Sequence, residues 1–210
     1  MIDEQTRRRS TFWRELPILL GVAIVVAILV RAFVLQTFYI PSESMEHTLN
    51  INDRVLVNKL VYDFRDPRRG EIVVFNSPPS WRGDPTETDF IKRVIGIGGD
   101  HVKCCVGGKL TVNGKALDET YLNKDDGLNL PASPDQFDVV VPKGRLWVMG
   151  DNRFHSGDSR DQYNRTNHDA MASTIPVDAV VGRAFVTFWP FSRAGWLSVP
   201  DAFNSIPPPA

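Results

Sequence analysis

The sequence lacks an excess of either charge, because 24 Lys and Arg residues oppose 25 Asp and Glu residues and leave a formal net charge of −1. A chain without a positive field does not steer polyanions, so nucleic-acid binding is not expected. The chain also lacks internal repeats, and no stretch after residue 38 has a long apolar period of 3.6 residues. Its 210 residues can hold one globular domain beside a membrane segment.

Cysteine is scarce, and the two cysteines are the neighbours Cys104 and Cys105. The Cα atoms of neighbouring residues lie about 3.8 Å apart, closer than the usual disulfide span of roughly 4.4–6.8 Å. Two reduced or buried thiols are therefore the first interpretation. A vicinal disulfide, a metal ligand and an intermolecular bridge remain alternatives, so the cysteines do not identify the redox compartment.

A long apolar run stands near the N-terminus, from Leu16 to Leu35 with a single charge at Arg31. At a rise of about 1.5 Å per residue, this run is about 30 Å long as a helix and matches the hydrocarbon core of a bilayer. The sequence predicts a transmembrane signal-anchor helix over residues 16–37. Arg7–Arg9 place the basic segment 1–15 in the cytoplasm by the positive-inside rule. A cleaved signal peptide is the alternative, but the run is too long for one and no small-x-small site follows it.

The rest of the chain is typical of a mainly β protein. Short runs rich in β-branched residues alternate with Gly and Pro, which predicts one mostly antiparallel β-sheet domain over residues 38–198. We expect the Pro-rich end, residues 199–210, to be a disordered tail. The predicted strands are 53–59, 71–75, 90–95, 101–106, 109–114, 138–141, 145–149 and 180–188.

Two residues suggest hydrolytic chemistry. Ser44 follows the apolar run by a few residues, and no His precedes it with the spacing of a familiar Ser-His pair. Lys92 lies in an apolar stretch, and burial there would lower its pKa from about 10.4 toward the range of a general base. Each residue alone also fits a bland interpretation, Ser44 as a turn residue and Lys92 as part of a solvated strand edge.

A third segment, 150–160, collects carboxylates, arginines and serines after an apolar strand. A solvated loop and a Ca²⁺ site are the alternatives, but the EF-hand spacing is absent and arginines beside Ca²⁺ would repel it. A scaffold of ion pairs fits better, in which Asp158 or Asp151 pairs with Arg93 or Arg160.

Together these segments resemble the bacterial type I signal peptidases, which are membrane-bound Ser/Lys endopeptidases. Four boxes of that family occur in order, and with the apolar run the resemblance covers most of residues 15–190. The boxes are Pro41–Leu49, Arg69–Phe75, Ile91–Gly96 followed by Gly98–Asp100, and Gly150–Arg160.

The resemblance implies an enzyme of the bacterial plasma membrane, with its N-terminus in the cytoplasm and an extracytoplasmic catalytic domain. Such an enzyme cleaves N-terminal signal peptides from exported preproteins after small-x-small sites, through an acyl-enzyme. It implies no cofactor and no metal, and it implies preproteins and membrane lipid as partners. The oligomeric state stays open. Trp189 and Trp196 are candidates for lipid contact, because aromatic residues gather at membrane interfaces.

The resemblance also assigns roles to residues. Ser44 would be the nucleophile and Lys92 the general base, with Ser156 orienting the lysine. Ser42 and the backbone N–H of Ser44 would form the oxyanion hole. Structural ion pairs would involve Arg93, Asp151, Asp158 and Arg160. The positions lining the substrate pockets would be Phe38, Ile40, Met45, Leu49, Val55, Val74, Phe90 and Ile91.

The chain departs from the family pattern at three places. His47 stands where the family usually has Pro, Glu43 replaces the commoner Gly, and Phe154-His155 replaces the commoner Asp-Asn. Because His47 lies three residues after Ser44, a Ser-His pair remains a second interpretation. Two rival functions also stay open: a catalytically silent membrane-anchored β domain that binds exported chains, and a specialised Ser/Lys maturation peptidase.

Overall fold

The computed structural model describes residues 3–122 and 131–209. The chain divides into two compact units, Met1–Gln36 and Thr37–Ala210. The ends of the predicted segments 1–15 and 199–210, and residues 123–130 of the predicted domain, lie outside the described residues.

The first unit is helical. Helix α1 runs from Asp3 to Leu29, and a π-helical turn, Val30–Val34, continues it. Among the residues that the structure describes, no helix meets the combined requirement of length and hydropathy for crossing a membrane. The helix predicted over 16–37 also ends earlier, since strand β1 begins at Leu35 and pairs with β2. That ladder gives the backbone polar groups of β1 partners outside a helix.

Antiparallel strands dominate the second unit, which confirms a mainly β fold. In the described part of this unit two short α-helices accompany them, α2 (Val61–Phe64) and α3 (Ser159–Arg165). Each predicted strand is present, with ends shifted by a few residues at most. Along the described residues the strands are β1 (Leu35–Tyr39), β2 (Arg54–Asn58), β3 (Ile72–Asn76), β4 (Asp89–Ile97), β5 (His101–Val106), β6 (Lys109–Val112), β7 (Lys115–Ala116), β8 (Phe137–Val140), β9 (Arg145–Met149), β10 (Ile175–Pro176), β11 (Val180–Trp189) and β12 (Gly195–Trp196).

The strands form two sheets. The larger sheet has the order β1-β2-β11-β3-β4-β9-β10, with β12 beside β11, and the smaller has the order β7-β6-β5-β8. Strand β4 lies between β3 and β9, and its register places Lys92 opposite Val73 and Arg93 opposite Met149. Because β4 has hydrogen-bonded neighbours on both sides, its backbone is fixed at these positions. The segment that follows Met149 therefore begins beside Arg93.

The carboxyl-terminal segment, where a disordered tail is expected over 199–210, is described up to Pro209. A 3-10 turn forms at Asp201–Phe203, and Phe203 is buried in a core cluster that the smaller sheet shares with strands β4 and β9, with Val199 and Ile206 packed against that cluster. Asn113 Nδ2 also donates to the Pro207 carbonyl at 3.0 Å. Phe203 is the main apolar contact of this Pro-rich stretch, with Val199 and Ile206 beside it, and burying a Phe side chain contributes about 1.5–3 kcal/mol.

The two cysteines lie within β5, where the structure joins them in a disulfide. This was the second of the sequence interpretations. Cys104 is buried in the core of the smaller sheet, and the backbone N–H of Cys105 donates to Gln136 Oε1 at 2.8 Å.

Candidate active site

Ser44 lies in the loop between β1 and β2, which we call the serine loop, and core packing holds this loop in place. Met45 and Leu49 stand four residues apart on a helical turn closed by the bond from Leu49 N–H to the Met45 carbonyl, 2.7 Å. Both side chains are fully buried. Ser44 directly precedes Met45 and is itself only 7% exposed.

Lys92 reaches Ser44 from the central strand β4. Its Nζ donates to Ser44 Oγ at 2.6 Å, and the residue is 5% exposed. Burial lowers the pKa of Lys92 to about 8, and the nearby Asp158 carboxylate opposes part of that fall. Desolvation penalises the ammonium form, so a large share of Lys92 is a neutral amine near pH 8. The predicted pairing of these two residues is thus present as a contact between buried groups.

The two remaining serines differ in position. Ser42 Oγ lies 3.3 Å from Ser44 Oγ, within reach of a group bonded to the nucleophile. The Ser156 hydroxyl is buried and forms no hydrogen bond of ordinary geometry within the described residues, so the expected bond to Lys92 is absent. Ser156 Oγ lies against Gly150 and near Asp158.

The two carboxylates of the segment 150–160 each form an ion pair with a different arginine. Arg93 makes a bidentate pair with Asp151, with Nε–Oδ1 at 2.8 Å and Nη2–Oδ2 at 2.6 Å. Arg160 pairs with Asp158 in the same way, at 2.9 and 2.7 Å. Burial raises the pKa of Asp158, but Arg160 and the hydrogen bonds around the carboxylate outweigh it and hold the pKa below its usual value. Because arginines occupy both carboxylates, the Ca²⁺ alternative is not supported.

The segment 150–160 also forms hydrogen bonds with the serine loop. The backbone N–H of Asn152 donates to the Ser44 carbonyl at 3.1 Å, and Thr48 Oγ1 donates to Asp151 Oδ2 at 2.5 Å. Gly150 leaves no space for a side chain, since a Cβ there would collide with the Ser44 carbonyl oxygen and would meet Ser156 Cβ at 2.6 Å. The close approach of the two loops therefore depends on glycine at this position.

Seven of the eight predicted pocket positions come together. They belong to one core cluster beside the serine loop: Ile40, Met45, Leu49, Val55 and Val74 are buried in it, and Phe38 and Ile91 pack against it. Phe90 is the exception, because it packs in a different cluster with Phe75 and Trp81. Successive residues of a strand face opposite sides, so Phe90 and Ile91 cannot share one pocket wall. The Phe90 ring still lies 5.6 Å from Lys92 Nζ.

His47, the alternative partner of Ser44, is exposed on the serine loop. Its φ is +77°, and its backbone N–H donates to Asn50 Oδ1 at 3.0 Å. The hydroxyl of Ser44 instead contacts Lys92 and Ser42, which favours the Ser-Lys interpretation. The ring of proline fixes φ near −65°, so the proline that the family usually has here would need a different backbone.

Sequence reasoning missed several groups that complete the site. Arg153 lies in a recognised box without an assigned role, and its guanidinium is buried against Glu119. Glu119 and Tyr121 belong to no box, and their distance of more than 30 residues from Arg153 leaves no local pattern to detect. Among the described residues, no cluster of His, Cys, Asp and Glu could hold a metal ion.

Comparison with known proteins identifies the family. Residues 13–189 match the family model described as "Signal peptidase, peptidase S26". The chain is 38% identical to a probable signal peptidase I of Mycobacterium leprae over 91% of this chain and 81% of that protein. It is 38% identical to signal peptidase I of Mycobacterium tuberculosis over 92% and 78% of the two chains.

A third relative is the probable signal peptidase I-2 of Synechocystis, which is 41% identical over 89% of this chain and 78% of that protein. A crystal structure of signal peptidase I from Enterococcus faecalis superposes on 57% of this chain with 27% identity and a TM-score of 0.43. That partial superposition supports no conclusion about function. The family match and the curated relatives cover most of the chain, and the chain belongs to the signal peptidase family, peptidase S26.

Proposed function

We propose that the chain cleaves N-terminal signal peptides from exported preproteins after small-x-small sites, with Ser44 as nucleophile and Lys92 as general base. The observation that carries the proposal is the 2.6 Å hydrogen bond between Lys92 Nζ and Ser44 Oγ, two groups that are both buried. Membership of the signal peptidase family supports the reaction. A lysine whose pKa falls to about 8 supports its role as a base.

The reaction proceeds through an acyl-enzyme. Neutral Lys92 takes the proton of Ser44 as Oγ attacks the scissile carbonyl carbon, and the carbonyl electron pair moves to the oxygen. The Ser42 hydroxyl and the Ser44 backbone N–H donate to that oxyanion. When the C–N bond breaks, Lys92 returns the proton to the departing amine. Water then attacks the ester with Lys92 again as base, which releases the signal peptide and restores Ser44.

The pocket supports the preference for small side chains. Ile40, Met45 and Leu49 are at most 1% exposed, so the core beneath the serine loop is already filled. A filled wall leaves only shallow depressions, which accept an Ala side chain and reject a larger one by steric clash. The substrate would lie extended along the larger sheet, as peptides do when they add to a sheet edge.

Residues 16–37 would serve as a single-pass anchor in the bacterial plasma membrane, with the catalytic domain outside the cytoplasm. The support is apolar surface, since the side chains of the first unit from Leu16 to Ile28 are largely exposed. The second unit has exposed aromatic groups as well, with Trp189 at 46%, and Phe191 and Trp196 both at 77%. Such rings favour the lipid interface, and a membrane-inserted substrate presents its cleavage site there.

The test is cleavage of a purified preprotein in detergent by the native chain, Ser44→Ala and Lys92→Ala. Lys103→Ala is the matched control, because Lys103 is a half-exposed lysine on the smaller sheet. We expect cleavage after a small-x-small site by the native chain and the control, and no cleavage by the other two variants. Equal cleavage by all four proteins contradicts the assignment. No cleavage by a folded native chain favours the silent binding domain.

A further inference from the structure

A short segment that follows strand β7 of the smaller sheet reaches the segment 150–160. Residues 117–122 follow β7, and Leu117 fixes their start because it is buried in the core of that sheet. None of these residues belongs to a family box. Two of them, Glu119 and Tyr121, nevertheless contact arginines next to the catalytic residues.

Glu119 forms a buried ion pair with Arg153. Nη1 of Arg153 lies 2.9 Å from one carboxylate oxygen of Glu119 and Nη2 lies 2.5 Å from the other, and both side chains are at most 4% exposed. The rest of the guanidinium holds backbone, with Nε donating to the Gly150 carbonyl at 3.1 Å and Nη1 to the Ala132 carbonyl at 2.8 Å. Glu119 thus fixes the position of the Arg153 guanidinium, which in turn binds the Gly150 carbonyl.

Tyr121 joins this pair to the second arginine. Its hydroxyl donates to Glu119 Oε1 at 2.7 Å, and its ring lies under the Arg93 guanidinium, 4.4 Å from the ring centroid. Desolvation and the Glu119 carboxylate raise the pKa of Tyr121 well above its usual value, so the phenol keeps its proton as a donor. Arg93 is the partner of Asp151.

Glu119 and Tyr121 therefore hold two consecutive residues through two arginines, Gly150 through Arg153 and Asp151 through Arg93. Gly150 and Asp151 lie directly against the serine loop. The neighbouring Asn152 N–H donates to the Ser44 carbonyl at 3.1 Å. The second half of the segment 150–160 is connected to the first half, because Arg160 Nη1 donates to the Arg153 carbonyl at 2.8 Å.

We propose that Glu119 and Tyr121 are positioning residues of the active site, which keep the segment 150–160 against the loop that carries Ser44, beside Lys92. The sheet that carries no catalytic residue would thereby control the catalytic geometry. The inference rests on the proposed role of Lys92, since the titration of that lysine reports whether the segment is closed.

The expected effect follows from charge burial. Glu119→Gln leaves the Arg153 guanidinium buried without an anionic partner, a state that draws in water or expels the side chain. Either response moves Gly150 and Arg160 outward and exposes Lys92 to solvent. The pKa of Lys92 then rises from about 8 toward that of a free lysine. Misplacement of catalytic groups also lowers kcat, by about 10- to 100-fold for a shift near 1 Å.

The experiment measures kcat and KM of the full chain in detergent from about pH 6 to pH 10, with a peptide that spans a small-x-small site. We compare the native chain with Glu119→Gln, Tyr121→Phe and the control Asp118→Asn, whose carboxylate is exposed and pairs with Lys109 at 3.6 Å. We expect Glu119→Gln to lower kcat and move the acid limb of the profile to higher pH. Tyr121→Phe does the same to a smaller extent, and Asp118→Asn changes neither.

If Glu119 and Tyr121 had a purely structural role, the substitutions would reduce the fraction of folded enzyme but would not move the acid limb of the pH profile. The remaining folded enzyme would keep the native pKa of Lys92. An unmoved limb, or one moved to lower pH, overturns the proposal. If Glu119→Gln does not accumulate as folded protein, Tyr121→Phe decides by the same criterion. If native cleavage does not depend on Ser44 and Lys92, the proposed function fails and this inference with it. If it does depend on them and both limbs stay in place, this inference alone fails.

Discussion

The two faces of the segment 150–160 place polar and ionisable side chains in opposite environments. On the inner face, Asp151, Arg153, Asp158 and Arg160 are at most 4% exposed. On the outer face, the His155 side chain is 63% exposed and lies 3.4 Å from Glu43 of the serine loop, itself 53% exposed. The inner face therefore makes ion pairs with strand β4 and with the segment after β7, and the outer face contacts the serine loop, but only the inner contacts are excluded from water.

That difference decides what each pair contributes. An exposed ion pair is screened by water and salt and contributes about 0–1 kcal/mol. Inside a protein, removal of one partner leaves a charge without water or counter-ion and costs about 3–5 kcal/mol. The inner face should thus tolerate little change, while the outer face should tolerate most substitutions. Three predictions test this contrast.

The largest effect is expected from Arg93→Met. This change leaves the Asp151 carboxylate buried without its arginine, although Thr48 still donates to it, so we expect the free energy of unfolding to fall by about 3–5 kcal/mol. The matched control is Arg165→Met, which removes an exposed pair with Asp161 and should cost less than about 1 kcal/mol. Urea denaturation of the two variants measures both changes. Equal losses would show that burial does not separate the two classes of pair.

A smaller effect, on activity, is expected from Gly150→Ala. The added methyl group meets the Ser44 carbonyl oxygen and Ser156, so the two catalytic loops must separate. We expect kcat to fall by about 100-fold, as for other displacements of about 1 Å at an active site. Gly157→Ala is the control, because a Cβ there meets only Asp161 Oδ2, at 3.9 Å. Native kcat in Gly150→Ala would mean that the close approach is not needed for catalysis.

The smallest effect is expected from the outer pair. Glu43 and His155 are two of the residues at which the chain departs from its family, and the structure brings them together. Glu43→Gly, His155→Asn and the double variant should give a coupling energy below about 1 kcal/mol in kcat/KM. A larger coupling would assign the outer pair a part in closing the site that its exposure does not predict.

The sequence predicted the larger features of the molecule because they depend on local patterns. The β-branched runs around Val73 and Lys92 gave the strands, and the apolar neighbours of Lys92 implied its burial. The family boxes brought Ser44, Lys92 and the segment 150–160 to one place before any geometry was known. These features depend on residues close together in sequence or on boxes of fixed order.

What could not be predicted depends on contacts between distant residues. The choice of Arg93 for Asp151 follows from the register of β4 against β9. The pairing of Glu119 with Arg153 joins the two sheets across 34 residues and leaves no periodic trace. The docking of Phe203 needs a complementary surface on the smaller sheet, which composition does not reveal.

The proposed reaction needs a buried and partly neutral lysine beside Ser44, and the titration of Lys92 itself measures this property. The full chain, labelled with ¹³C at lysine Cε and held in detergent, is followed by NMR across pH, and Lys92→Arg identifies the resonance. We predict a midpoint near pH 8, with cleavage falling as pH drops below 8 because the amine becomes protonated. A midpoint near that of free lysine, about 10.4, would contradict the account.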